Sequence, residues 1–88
     1  MALITGASSG IGLEIAKSLA ARGYDLVLTA RNDKKLQTAV TELMNLFPVK
    51  VAALAADLED PDSPKAIYNF CISKKYTVSL LVNNAGYA

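Results

Sequence analysis

The residues best suited to chemistry sit near the start of the sequence, in the run Thr5-Gly6-Ala7-Ser8-Ser9-Gly10-Ile11-Gly12. Three glycines and two serines separate a short apolar stretch from a run with helical periodicity. Such a junction presents bare backbone N–H groups at the positive end of a helix dipole, worth roughly half an elementary charge, and that suits a phosphate. Gly6 permits a sharp exit from a strand, Gly10 a close approach of backbone to a pyrophosphate, and Gly12 tight packing of helix on sheet. Ser8 and Ser9 add hydroxyl donors. The spacing is G-x-x-x-G-x-G rather than the usual G-x-G-x-x-G fingerprint, and no Gly-Lys-Ser/Thr follows, so it is not a Walker loop.

Positioning such a loop requires a frame, and the hydrophobic pattern supplies one. Ala2 to Thr5 is a short apolar run, the signal of a buried strand. From Gly10 to Arg22 the pattern turns helical, with Ile11, Ile15 and Leu19 at i, i+4 and i+8 and with Ala16 and Ala20 on the same face. Gly23 stands where a left-handed C-terminal cap is needed. Asp25 to Ala30 is a second apolar run. Asn32 is a good N-cap for a helix carrying Leu36, Val40, Leu43 and Phe47 inward, and Pro48 stops it. Val49 to Ala56 is a third run. Ser63-Pro64 reads as N-cap and first helical position, with Ile67, Phe70 and Cys71 facing the core. Ser79 to Val82 is the fourth run.

The order is therefore β-α-β-α-β-α-β. Strands apolar on both faces and separated by helices imply an α/β fold, a Rossmann-like parallel sheet with right-handed crossovers and strand order 3-2-1-4. The fourth strand then forms an uncovered apolar edge, an association hazard. The sequence runs only six residues past Val82 without a closing helix. It reads as the front portion of a longer protein, or as a chain that pairs its edge with something.

Composition removes several function classes. The 88 residues are 52% hydrophobic, with 9 Lys+Arg against 8 Asp+Glu, too apolar for a disordered tail. A net charge of +1 argues against a nucleic-acid groove or an anionic-membrane patch. The absence of His removes a Ser-His-Asp triad and most zinc sites, so no metal is expected. One Cys rules out an internal disulfide and fits a reducing, cytoplasmic setting. No apolar run approaches the ~18 residues of a membrane span, and no basic segment precedes the first apolar stretch as in a signal peptide.

Two further motifs join the glycine loop: Asp57-Leu58 after the third strand and Asn83-Asn84-Ala85-Gly86 after the fourth. With the loop written T-G-x-x-x-G-x-G, the combination resembles the short-chain dehydrogenase/reductase family over essentially all 88 residues. The resemblance implies the N-terminal dinucleotide-binding part of such an enzyme, an incomplete version of the family fold. It also implies an NAD- or NADP-dependent oxidoreductase that moves a hydride between the nicotinamide and an alcohol or carbonyl substrate. Its cofactor residues would be Gly6, Ser8, Ser9, Gly10, Ile11 and Gly12 at the pyrophosphate. Asp57 would bond the adenine amino group with help from the Leu58 backbone, and Asn84, Ala85 and Gly86 would lie along the cofactor. Asn83 fits a structural role, tying strand ends together.

The choice of coenzyme turns on the end of the second strand. There an NAD site places an acid on the ribose 2′-OH. This chain has Thr29-Ala30-Arg31 instead, and the next acid, Asp33, is already in the helix. Arg31 offers a planar cation suited to a 2′-phosphate, with Asn32 beside it, so NADP is expected over NAD.

The family's proton donor is a Tyr with a Lys four residues on. Here Tyr24 meets Leu28, Tyr68 meets Ile72 and Tyr76 meets Leu80. The resemblance places that pair past Ala88, so this stretch carries no catalytic residue and should not turn over by itself. Family members are commonly dimers or tetramers, so a homo-oligomer is compatible. Two other readings stay open: a non-catalytic nucleotide-binding or interaction module using the open edge, and another Rossmann enzyme such as a methyltransferase. The last leaves Asn83 to Gly86 unexplained. Cys71 reads as a small buried hydrophobe, Tyr24, Tyr68 and Tyr76 as packing residues, and Tyr87 as a residue at the mouth of the site. Met44 and Phe47 read as core or flank. Glu59 and Asp60 lack an apolar pocket to raise a pKa, and Asp60 and Asp62 read as turn residues around Pro61. Lys34, Lys35, Lys74 and Lys75 read as solvated.

Overall fold

In a computed structural model of the chain, residues 1–7, 10–57 and 60–83 are described. The elements are β1 (Ala2–Thr5), α1 (Gly10–Ala21), β2 (Leu26–Ala30), α2 (Asp33–Leu46), β3 (Val51–Ala55), α3 (Ser63–Ser73) and β4 (Leu80–Asn83). The strands form one parallel sheet in the order β3-β2-β1-β4, as the apolar runs predict. All five residues of β2 are buried, which is why that run has no polar face.

Register sorts the side chains. Ala2 pairs with Leu26 and Ile4 with Leu28, and alternation puts all four on one face with Ala30. Helices α1 and α2 close that face through Ala16, Ala20, Leu36 and Leu43. The crossover from β3 to β4 runs back across the sheet, so right-handedness places α3 on the opposite face. There Ile67 and Cys71 are buried.

Several expectations are corrected. Ile11 is 72% exposed, and Ile15 and Leu19 are only half-buried. The buried stripe of α1 is Gly12, Ala16 and Ala20. These are also spaced at i, i+4 and i+8, and their small size lets the helix sit close to the sheet, which turns the larger side chains to its flank. Ser63 is the first residue of α3 rather than its cap. Asp62 precedes it in a helical conformation with no side-chain cap bond, and the Ser63 hydroxyl donates back to the Asp57 carbonyl. Tyr68 lies on the surface, whereas Tyr76 packs edge-on against Phe70 with centroids 6.1 Å apart. Met44 is exposed, and Phe47 packs against the core edge. Strand β3 is shorter than the apolar run that predicts it. Strand β4 is shifted one residue onward, so that Asn83 pairs with Thr5.

Helix boundaries follow their caps. The Asn32 Oδ1 accepts the Lys35 backbone N–H at 3.0 Å, the predicted N-cap. At the end of α1, Gly23 adopts φ 89°. Its N–H donates to the Ala20 carbonyl at 3.0 Å and that of Tyr24 to the Leu19 carbonyl at 3.1 Å, a Schellman closure. Helix α3 closes in the same way around Lys75, whose φ is 59°. There the Lys75 and Tyr76 N–H groups donate to Ile72 and Cys71 at 3.0 and 2.9 Å.

Candidate functional site

Thr29, Thr5 and Asn83 stand in one rank across β2, β1 and β4. Asn83 at the end of β4, with Gly6 after β1, Arg31 after β2 and Asp57 after β3, therefore gather at one edge of the sheet. That edge includes the point between β1 and β4 where strand order reverses, the place where open α/β sheets bind ligands.

The glycine loop is anchored there by backbone geometry. Gly6 has φ 66°, and its N–H donates to the Thr29 carbonyl at 2.9 Å, joined by the Ala7 N–H at 3.3 Å. The chain thus bends off β1 while still tied to β2. Gly10, with φ 63°, opens α1, and a Cβ built there would meet no heavy atom within 4 Å. No described residue fills the space beside that backbone, which leaves it open to a ligand among the described residues. Gly12 is buried against the sheet. Exposed Ile11 heads an apolar groove that continues along α1 past Leu13, Ile15 and Leu19.

Arg31 follows β2 directly and is exposed. Among the described residues the ion pairs are those of Lys17, at 3.8 Å from Glu14 and 3.5 Å from Glu42, so Arg31 is not committed to a protein carboxylate. Asp57 is exposed after β3, and its carbonyl also accepts the Asp60 N–H at 2.9 Å. Asp60 in turn accepts the Asp62 N–H at 2.9 Å through Oδ1, which makes both acids turn residues as expected. Ser8, Ser9, Leu58, Asn84, Ala85 and Gly86, with Glu59 and Tyr87, lie outside the described residues. No group of three His, Cys, Asp or Glu able to hold a metal occurs among the described residues.

The Asn83 side chain ties strand ends, in line with the role expected of it. The Thr5 hydroxyl donates to its Oδ1 at 3.1 Å and lies 3.4 Å from the Val82 carbonyl. Thr29 was missed. It is fully buried, and its Oγ1 has no hydrogen-bond partner among the described residues. An unsatisfied buried hydroxyl costs about 1–3 kcal/mol. The signal was a single hydroxyl in an otherwise apolar strand, Leu26-Val27-Leu28-Thr29-Ala30. Away from this edge, burial pushes the Cys71 thiol pKa up.

A parallel sheet reversing order at β1, with a glycine-opened helix at the reversal, defines a Rossmann-type dinucleotide fold. The sequence profile of the short chain dehydrogenase family matches residues 1–88, and the chain belongs to that family. It is 41% identical over 87 residues to a very-long-chain 3-oxoacyl-CoA reductase of Candida glabrata, covering 97% of this chain and 24% of that protein. The solved L-sorbose reductase of Gluconobacter frateurii, complexed with NADPH and L-sorbose, is 41% identical with a TM-score of 0.93 over 98% of this chain and 33% of its own. A short-chain dehydrogenase of Sphingobium yanoikuyae in complex with NADPH is 42% identical, with a TM-score of 0.86 over 99% of this chain and 34% of its own. The chain thus spans about a quarter to a third of these relatives. Among the described residues no helix is long and apolar enough to cross a membrane.

Proposed function

We propose that residues 1–88 are the dinucleotide-binding part of an NADP(H)-dependent short-chain oxidoreductase. The carrying observation is Gly10, a left-handed glycine opening α1 at the sheet's reversal point, with no described residue filling the space beside its backbone. Gly6, Ser8, Ser9, Gly10, Ile11 and Gly12 grip the pyrophosphate through backbone N–H groups and the α1 dipole. Arg31 takes the ribose 2′-phosphate, and Asp57 with Leu58 takes the adenine. Asn84, Ala85 and Gly86 run along the ribose. Bound NADPH supplies a hydride for a carbonyl substrate, or NADP accepts one from an alcohol. The NADPH complexes of two similar structures support this choice of coenzyme.

No Tyr in the sequence has a Lys four residues on, so these residues bind and orient rather than transfer a proton, and the 88 residues alone give no turnover. The single Cys of these residues favours a reducing, cytoplasmic setting. Thermal unfolding with each coenzyme tests the reading. NADPH at a hundredfold excess over its Kd adds about 2.7 kcal/mol of stability by mass action, and NADH much less. Arg31→Ala should erase most of that preference. Equal protection by the two coenzymes overturns the role of Arg31, and protection by neither overturns the coenzyme reading.

A further inference from the structure

The orphaned hydroxyl of Thr29 occupies a particular place. Thr29 is the residue whose carbonyl receives both the Gly6 and the Ala7 N–H groups, and it lies two positions before Arg31. Its side chain shares a face with that of Thr5, its register partner on the adjacent strand, and the Thr5 hydroxyl already donates onward to Asn83. A hydroxyl that donates in one direction can accept in another. Parallel neighbours stand ~4.8 Å apart, so a change of the Thr29 χ1 rotamer can turn its hydroxyl toward that of Thr5. The fold by itself is better served by valine, which has the same shape and no polar atom to leave unsatisfied.

We propose that Thr29 is a positioning residue, the open end of a Thr29–Thr5–Asn83 hydrogen-bond ladder that closes when coenzyme occupies the loop after Thr5. The inference rests on the coenzyme reading above. A bond made only in the loaded state adds to coenzyme affinity while its absence weakens the free chain. Stability and affinity therefore respond with opposite signs, which a purely structural residue does not produce.

The test compares wild type, Thr29→Val and Thr29→Ser by thermal unfolding without coenzyme and by NADPH titration. Thr29→Val should melt higher than wild type yet bind NADPH about 2- to 10-fold more weakly. Thr29→Ser keeps the hydroxyl, so it should melt lower yet retain wild-type affinity. If wild type binds and Thr29→Val binds equally well, or binds and melts lower in parallel, this proposal fails alone. If wild type binds no NADPH, the coenzyme reading fails and takes this proposal with it.

Discussion

The two faces of the sheet draw on similar residue types but are closed to different degrees. On the side of α1 and α2, Ile4, Leu26, Leu28, Leu36 and Leu43 are all fully buried. On the side of α3, Tyr68 and Ile72 project into solvent, and Leu81 of the edge strand is 62% exposed. The helix ends differ in the same sense. Helix α2 starts on a bonded Asn32 cap, whereas α3 starts without one. Helix α1 ends on left-handed Gly23 and α3 on left-handed Lys75, with matching hydrogen bonds. A side chain with a Cβ costs roughly 1–2 kcal/mol in that conformation, and glycine avoids the cost. Order is therefore concentrated on the face where α1, the helix proposed to grip the phosphates, is packed. A helix start proposed to hold N–H groups in fixed directions sits on the half of the molecule least able to yield.

The sharpest way to break this comparison is a matched truncation. Leu28→Ala on the closed face should cost about 2–5 kcal/mol, and Leu81→Ala on the open edge about 0.5 kcal/mol or less, read from urea midpoints. Similar losses would show the faces to be equally consolidated. Next comes a pair of glycines with like backbone angles and equally open surroundings. Gly10→Val and Gly23→Val should both strain the chain, but only Gly10→Val should weaken NADPH binding more than about tenfold, ~1.4 kcal/mol. Normal binding by Gly10→Val would remove the anion site from this loop. Lys75→Gly should stabilise by a smaller amount, about 0.5–1 kcal/mol, seen as a raised Tm. An unchanged or lower Tm would mean that the end of α3 carries no strain.

The smallest effect is in pH. The unfolded Cys71 thiol ionises near its ordinary value of about 8.5, while burial raises the folded value. The folded chain then holds a proton that the unfolded chain releases. Stability is complete below about pH 8.5 and declines as pH rises toward and through the folded value. Cys71→Ala should flatten that decline in denaturation curves collected between about pH 8 and 10.

Topology was legible because it rests on long apolar runs and on handedness, which few residues can contradict. The Asn32 cap, the Gly23 closure and the Asn83 tie were legible because each needs a particular side chain at one place. The inward face of α1 was read only in part: Ala16 and Ala20 do lie on it and Gly12 does pack on the sheet, but periodicity alone does not show that these three, rather than Ile11, Ile15 and Leu19 one position before, form its centre. Only the close approach of helix to sheet selects the smaller set. Ser63 was misassigned because its hydroxyl found the Asp57 carbonyl, a partner set by the path of the loop. Thr29 escaped notice because its significance lies in what it fails to bond, which appears only once its neighbours are placed.

Strand order also governs how the protein is made. The Thr5–Asn83 contact spans 78 residues, while β1 meets β2 within a single helical crossover. On a ribosome adding ~5–20 residues per second, the second edge of β1 waits roughly 4–16 s for its neighbour. In the last part of that interval, once β3 is made, a three-stranded intermediate shows an apolar rim to other nascent chains, so chaperone demand should follow the timing of translation rather than the final stability.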